Sequence, residues 1–149
     1  MGSKEDDLLK RVAVDFVISQ LRIREEDAVK AGRLDRHDIL IKDKDIKIKV
    51  KFSIPRQRSR CISPKWEFAK IIHSSRLWPI DVYDFYILVG FGQNGNIEKF
   101  WKISADDNII YRKNQIFIPI CDTDDYEEYR KYELSILEDQ SSGEFKWIE

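Results

Sequence analysis

The sequence predicts one α/β domain, and three features predict it. Leu8 to Leu21 contains neither Gly nor Pro and has helix-forming composition. From Ile46 to Ser53, apolar residues alternate with lysines, and 83–92 is dense in aromatic and β-branched types. A helical stretch followed by strand-like periods points to a sheet with a helix packed on it. The length of 149 residues and a hydrophobic content of 42% suit a single core.

Ser3 followed by Glu5, Asp6 and Asp7 reads as a helix start, with a hydroxyl cap and acids in the first turn. Val12, Ala13, Val14, Phe16, Val17 and Ile18 predict a helix covered on most sides, with Asp15 the one polar residue in that window. The helical and charged stretch is expected to end before Gly32. Residues 38–53 read as a β-hairpin around the turn Lys42-Asp43-Lys44-Asp45. Residues 54–64, in which Arg56, Arg58 and Arg60 alternate between two prolines, read as a mobile or ligand-ordered loop. Lys65 to Ile72 fits a helix or a strand, and a short strand from Trp66 is the expectation.

Residues 83–92 predict a central strand, Gln93-Asn94-Gly95-Asn96 a hairpin turn, and Ile97 to Ile103 the returning strand. A one-turn helix is expected near Ser104 to Asn108, and an edge strand at Gln115 to Ile120, where Pro119 is tolerated near the end. Residues 124–138 predict an acidic helix, before a tail with an exposed Phe145-Lys146-Trp147. No internal repeat or low-complexity linker divides the chain, so 1–149 reads as one domain with an acidic end at 121–149.

Composition narrows the function classes. No apolar run approaches the roughly 18 residues of a membrane helix. The acidic N-terminal segment does not read as a secretory signal. Cys61 and Cys121 stand far apart without metal-ligand spacing, so a reducing cytoplasm is expected and a disulfide scaffold or zinc ribbon is not. The net charge of −1 conceals a polarised chain. Residues 44–78 carry 10 basic and 2 acidic side chains, whereas 121–149 carry 3 basic and 10 acidic. A polyanion responds to the local field, so the basic block is a candidate nucleic-acid footprint, with the acidic helix facing away from DNA. A solvated charged face is the plainer alternative.

The order of a helix with one embedded acid, a strand starting at Asp38, a tight turn and a returning strand with Lys49-Val50-Lys51 resembles the PD-(D/E)XK nuclease superfamily. Trp66, the run Tyr83 to Val89 and the stretch Phe100 to Asp106 extend the resemblance over about residues 8–108. It implies a restriction-endonuclease-like core, a mixed central β-sheet flanked by helices. It also implies metal-dependent hydrolysis of DNA phosphodiesters by a homodimer or tetramer. Under that resemblance Asp15 and Asp38 would hold Mg²⁺ or Mn²⁺, with the Val50 carbonyl as a third ligand and Lys51 as the charged partner. A hard cation lowers the pKa of bound water and offsets phosphate charge, and an ammonium orients the nucleophile.

Position 49 departs from the pattern, which has a carboxylate or amide there. Lys49 and Lys51 share a strand face, so an ammonium projects where a ligand is expected. Three explanations stay open: a deliberate inactivating substitution, an acid supplied from elsewhere such as Glu67, or a domain that binds without cutting. If position 49 alone disables the site, Lys49→Glu should restore cutting.

Each residue also has a structural reading. Asp38 can cap a turn, Asp15 can pair at the helix edge, and the β-hairpin lysines can guard a strand edge. Trp66, Trp78 and Trp101 are expected in or beside the core rather than as base-stacking platforms. Arg56, Arg58, Arg60 and Lys65 beside the lysine strand suit contact with the DNA backbone, which carries little sequence information. A catalytically dead nucleic-acid-binding relative, and a protein-interaction domain docking through the acidic tail, are the competing functions.

Overall fold

The computed structural model describes residues 3–32, 35–55, 64–68, 83–107, 109, 116–120 and 126–138. Helix α1 (Ser3–Ile23) lies on one face of a six-stranded sheet. Its strands are β1 (Ala28–Lys30), β2 (Ile39–Ile41), β3 (Ile46–Ser53), β5 (Phe85–Phe91), β6 (Ile97–Ser104) and β8 (Glu133–Leu134), in the spatial order β1-β2-β3-β5-β6-β8. A two-stranded sheet of β4 (Lys65–Phe68) and β7 (Ile116–Pro119) contributes to the core on the opposite face. The short helix α2 (Glu127–Arg130) precedes β8.

Among the described residues only β3 and β5 pair in parallel, and the other ladders are antiparallel. A parallel pair needs a long crossover, and β4 sits on it. The expected mixed α/β sheet is therefore present.

Helix α1 buries Ala13, Val14, Val17, Ile18 and Leu21, a stripe at helical spacing, against Ile48, Val50, Ile87 and Val89. Burying a side chain of this size stabilises by about 1.5–3 kcal/mol. The helix is covered on one side only, since Leu8 and Val12 are exposed. Gln20, buried on the same helix, donates to Leu137 O at 2.9 Å and accepts from Leu137 N at 2.9 Å. That reciprocal pair fastens the segment after β8 to α1. Strand β5 is buried along its whole length because both faces are covered. Phe85, Ile87, Val89 and Phe91 face α1, while Tyr86 and Leu88 meet Trp66 and Trp101. Both tryptophans are thus core residues, and Trp78 lies outside the described residues.

The β-hairpin expected at 38–53 is β2–β3, held near its turn by Lys44, which bonds both carboxylate oxygens of Glu26 at 2.7 and 2.8 Å. The turn before β6 has Gly95 at φ 88°, as the Asn-Gly pair predicts. The expectation of a helical stretch reaching toward Gly32 is corrected: α1 stops at Ile23, and strand β1 follows at Ala28–Lys30. It forms because Ala28, Val29 and Lys30 add to the otherwise open edge of β2. The one-turn helix expected at 104–108 is a turn over its described part, closed by Asp107 N on Ser104 O at 3.0 Å.

The acidic helix expected over 124–138 is also corrected, because its described part is helical only at Glu127–Arg130 before the chain joins β6 as β8. Acids at a helix C-terminus oppose the backbone dipole, and Glu133 and Glu138 would stand there. Burial of Tyr132 and packing of Leu134, with the ladder to β6, favour the strand. The tail at 145–147 lies outside the described residues. Among the described residues no helix is long and apolar enough to cross a membrane.

Candidate functional site

Strand β2 has three residues and β3 has eight, so their ladder stops early. Ile39 pairs with Ile48, and Asp38 N donates to Ile48 O at 2.8 Å. Beyond that point side chains serve the next peptide groups of β3. The Val50 N–H donates to Asp38 Oδ2 at 2.7 Å. The Val50 carbonyl accepts from Lys10 Nζ, which stands 3.0 Å from the same Asp38 oxygen. Buried backbone groups need such partners, and here a carboxylate and an ammonium replace the missing strand.

Helix α1 positions Lys10. It precedes Ala13 and Val14 by three and four residues, so it continues the buried stripe and reaches β3. Lys49 enters from β3 itself. Its Nζ is 3.7 Å from Asp38 Oδ2, donates to Arg36 O at 3.0 Å and stands 5.9 Å from the Tyr83 ring centre. Tyr83 Oη donates to the same Arg36 carbonyl at 3.3 Å. The side chains of Asp38, Lys49 and Lys10 are 17%, 24% and 29% exposed, so the cluster is partly desolvated yet open to a ligand.

Burial pushes the Lys10 ammonium below the ordinary lysine range; Asp38 pulls it back up, and Lys49 and Lys51 push it down again. Two ammonium groups thus stand against one carboxylate, and the Lys51 charge adds to the positive field at Lys10. The folded-state value of Lys10 lies below the unfolded one, so its penalty on stability is present at neutral pH and fades as pH rises toward the unfolded value. Resolved side-chain titration by heteronuclear NMR should find Lys10 losing its proton below the ordinary lysine range. Asp38→Asn should move that titration further down, because the carboxylate is what raises it. An upward movement would mean that Asp38 is not its partner.

The structure brings Asp38 and Lys49 together and lets Lys51 act on the same cluster. Asp15 is not brought to it. That carboxylate is 68% exposed and 3.7 Å from Lys30 Nζ. Five residues of helix turn it about 140° from Lys10, so α1 presents an ammonium to Asp38 instead. Lys65 opens β4 opposite Pro119, and Arg56, Arg58 and Arg60 lie outside the described residues. Glu67 donates its backbone N–H to Ser53 Oγ at 2.9 Å, at the far end of β3.

The divalent cation implied by the resemblance does not fit these residues. The two oxygens that could share it, Asp38 Oδ2 and Val50 O, both hold Lys10, and position 49 adds a second ammonium. Among the described residues no group of three or more His, Cys, Asp or Glu could hold a metal ion.

No protein-family model matches the chain, and no curated protein matches it. Among solved structures it is similar to a bacterial homing endonuclease, I-Ssp6803I. The TM-score is 0.51 at 17% identity, over 83% of this chain and 80% of that one. The mixed α/β sheet with its packed helix is therefore similar to the fold of an endonuclease.

Proposed function

We propose that this chain binds DNA through an endonuclease-like fold, holding the phosphodiester backbone at the cluster of Lys10, Asp38, Lys49 and Lys51 without a divalent cation. The observation that carries the reading is the gathering of two ammonium groups, Lys10 and Lys49, around the Asp38 carboxylate at an unzipped strand edge, with the Lys51 charge acting on Lys10. Phosphate contacts position a duplex and need positive, partly desolvated donors. The sequence block 44–78 that contains Lys49 and Lys51 also carries Arg56, Arg58, Arg60 and Lys65, residue types that suit phosphate contact.

Metal-dependent deoxyribonuclease activity is the second reading, supported by the fold likeness; the oxygen pair Asp38 Oδ2 and Val50 O is of a kind that suits a hard cation, but Lys10 holds both oxygens. Incubation with supercoiled plasmid in Mg²⁺ or Mn²⁺, followed by gel retardation and topology analysis, separates the two. The expected result is salt-sensitive retardation with no nicked product. Nicking that Asp38→Ala abolishes would overturn the binding reading in favour of the nuclease. Absence of retardation at low salt would reject both DNA readings.

A further inference from the structure

We propose that Lys10 is a built-in cation standing in place of a divalent ion, so that two lysines, Lys10 and Lys49, must change before this strand edge can hold a metal. The inference rests on the anion-site reading above. Its geometry comes from Asp38 Oδ2 and Val50 O, a carboxylate and a carbonyl that converge on one ammonium. Oxygen pairs of that kind suit a hard cation, and an ammonium satisfies the same two lone-pair directions with hydrogen bonds.

Both cations cannot be present. Mg²⁺ needs oxygen at about 2.0–2.1 Å, and an ion sharing these two oxygens would collide with a nitrogen held 3.0 Å from one of them. Like charge at that range adds strong repulsion in a partly desolvated pocket. Lys49, 3.7 Å from the same carboxylate, is a second barrier. Its replacement by glutamate alone leaves Lys10 in place, because Lys10 is anchored by Asp38 and Val50 rather than by Lys49. A glutamate at 49 would instead give the Lys10 ammonium one more acid to pair with. The lysine also has a structural role, since it satisfies the Val50 carbonyl where β2 has ended.

Mn²⁺ binding, read by the electron-paramagnetic-resonance signal of the free ion with no DNA present, tests this. The wild-type protein and Lys49→Glu are expected to bind weakly or not at all. Lys10→Ala/Lys49→Glu should bind at least about tenfold more tightly than Lys49→Glu, and adding Asp38→Asn should abolish the gain. Lys49→Glu binding as tightly as the double variant would overturn the inference, as would an unchanged signal with the double variant. If the alanine version melts early, Lys10→Gln/Lys49→Glu keeps a neutral donor for Val50 O. No gain over Lys49→Glu there would equally reject the proposal. Because DNA is absent, failure here is distinct from failure of the DNA-binding reading, which gel retardation reports.

Discussion

Trp66→Ala should cost about 3–5 kcal/mol of stability, lowering the melting midpoint on the order of 10 °C for a domain of this size. The indole is fully buried, and its ring centre lies 5.4 Å from that of Trp101 in an edge-to-face contact. Its Nε1–H donates to the Phe91 carbonyl at 2.9 Å, joining β4 to the central strand. Collapse cannot heal the void, because the facing position on β5 is Gly90. A Cβ there would lie only 2.7 Å from Trp66 Cε2, so the strand backbone and the indole already meet directly. Alanine therefore removes the aromatic packing, leaves a cavity against bare backbone and loses the bond to Phe91. Trp66→Phe should keep much of the packing on Trp101 and lose the hydrogen bond, which is worth about 1 kcal/mol. Chemical denaturation should place it between wild type and alanine. A Trp66→Ala protein as stable as wild type would mean that the indole is outside the core, as a base-stacking platform would be.

Trp66 also shows what is legible in the sequence. Strands with period-two alternation or a dense apolar run announce themselves, and β3, β5 and β6 lie where the sequence places them. The β-hairpin of 38–53 is readable from its charged turn, and Asp38 and Lys49 with it. Strands β1 and β8 are not, because two or three residues carry no period and exist through the edges they complete. The site divides in the same way. Asp15 stands out in a one-dimensional window as the lone polar residue, but the helix turns it outward to Lys30. Lys10 escapes sequence reasoning although a signal exists: it falls one turn before Ala13 and Val14 on the stripe that continues through Val17 and Leu21. A lysine on a buried stripe needs a buried partner, and only the early end of β2 reveals which one.

Lys49→Ala/Lys51→Ala should weaken DNA binding about 100-fold near physiological salt, roughly tenfold for each lysine, and should reduce the slope of log affinity against log salt by about 2. Each ammonium that neutralises a phosphate releases a counterion, so the slope reports how many phosphates the protein neutralises, whatever the duplex sequence. Stability should move by only about 1 kcal/mol or less, because Lys49 is partly exposed and its ion pair with Asp38 is long. The Lys10 titration should at the same time move upward, since Lys49 and Lys51 both push it down. That third readout separates an electrostatic cluster from two unrelated surface lysines. Asp38→Ala provides the opposite sign. It removes the cluster's one negative charge together with the acceptor for Val50 N, so affinity for DNA should hold or rise while the protein melts earlier. In a metal-dependent site the same carboxylate would hold the ion and its loss would weaken both chemistry and ion-assisted binding. Here it stands 3.0 Å from Lys10 Nζ at the strand edge, and under the proposed DNA-binding reading it is a structural counter-charge rather than a metal ligand.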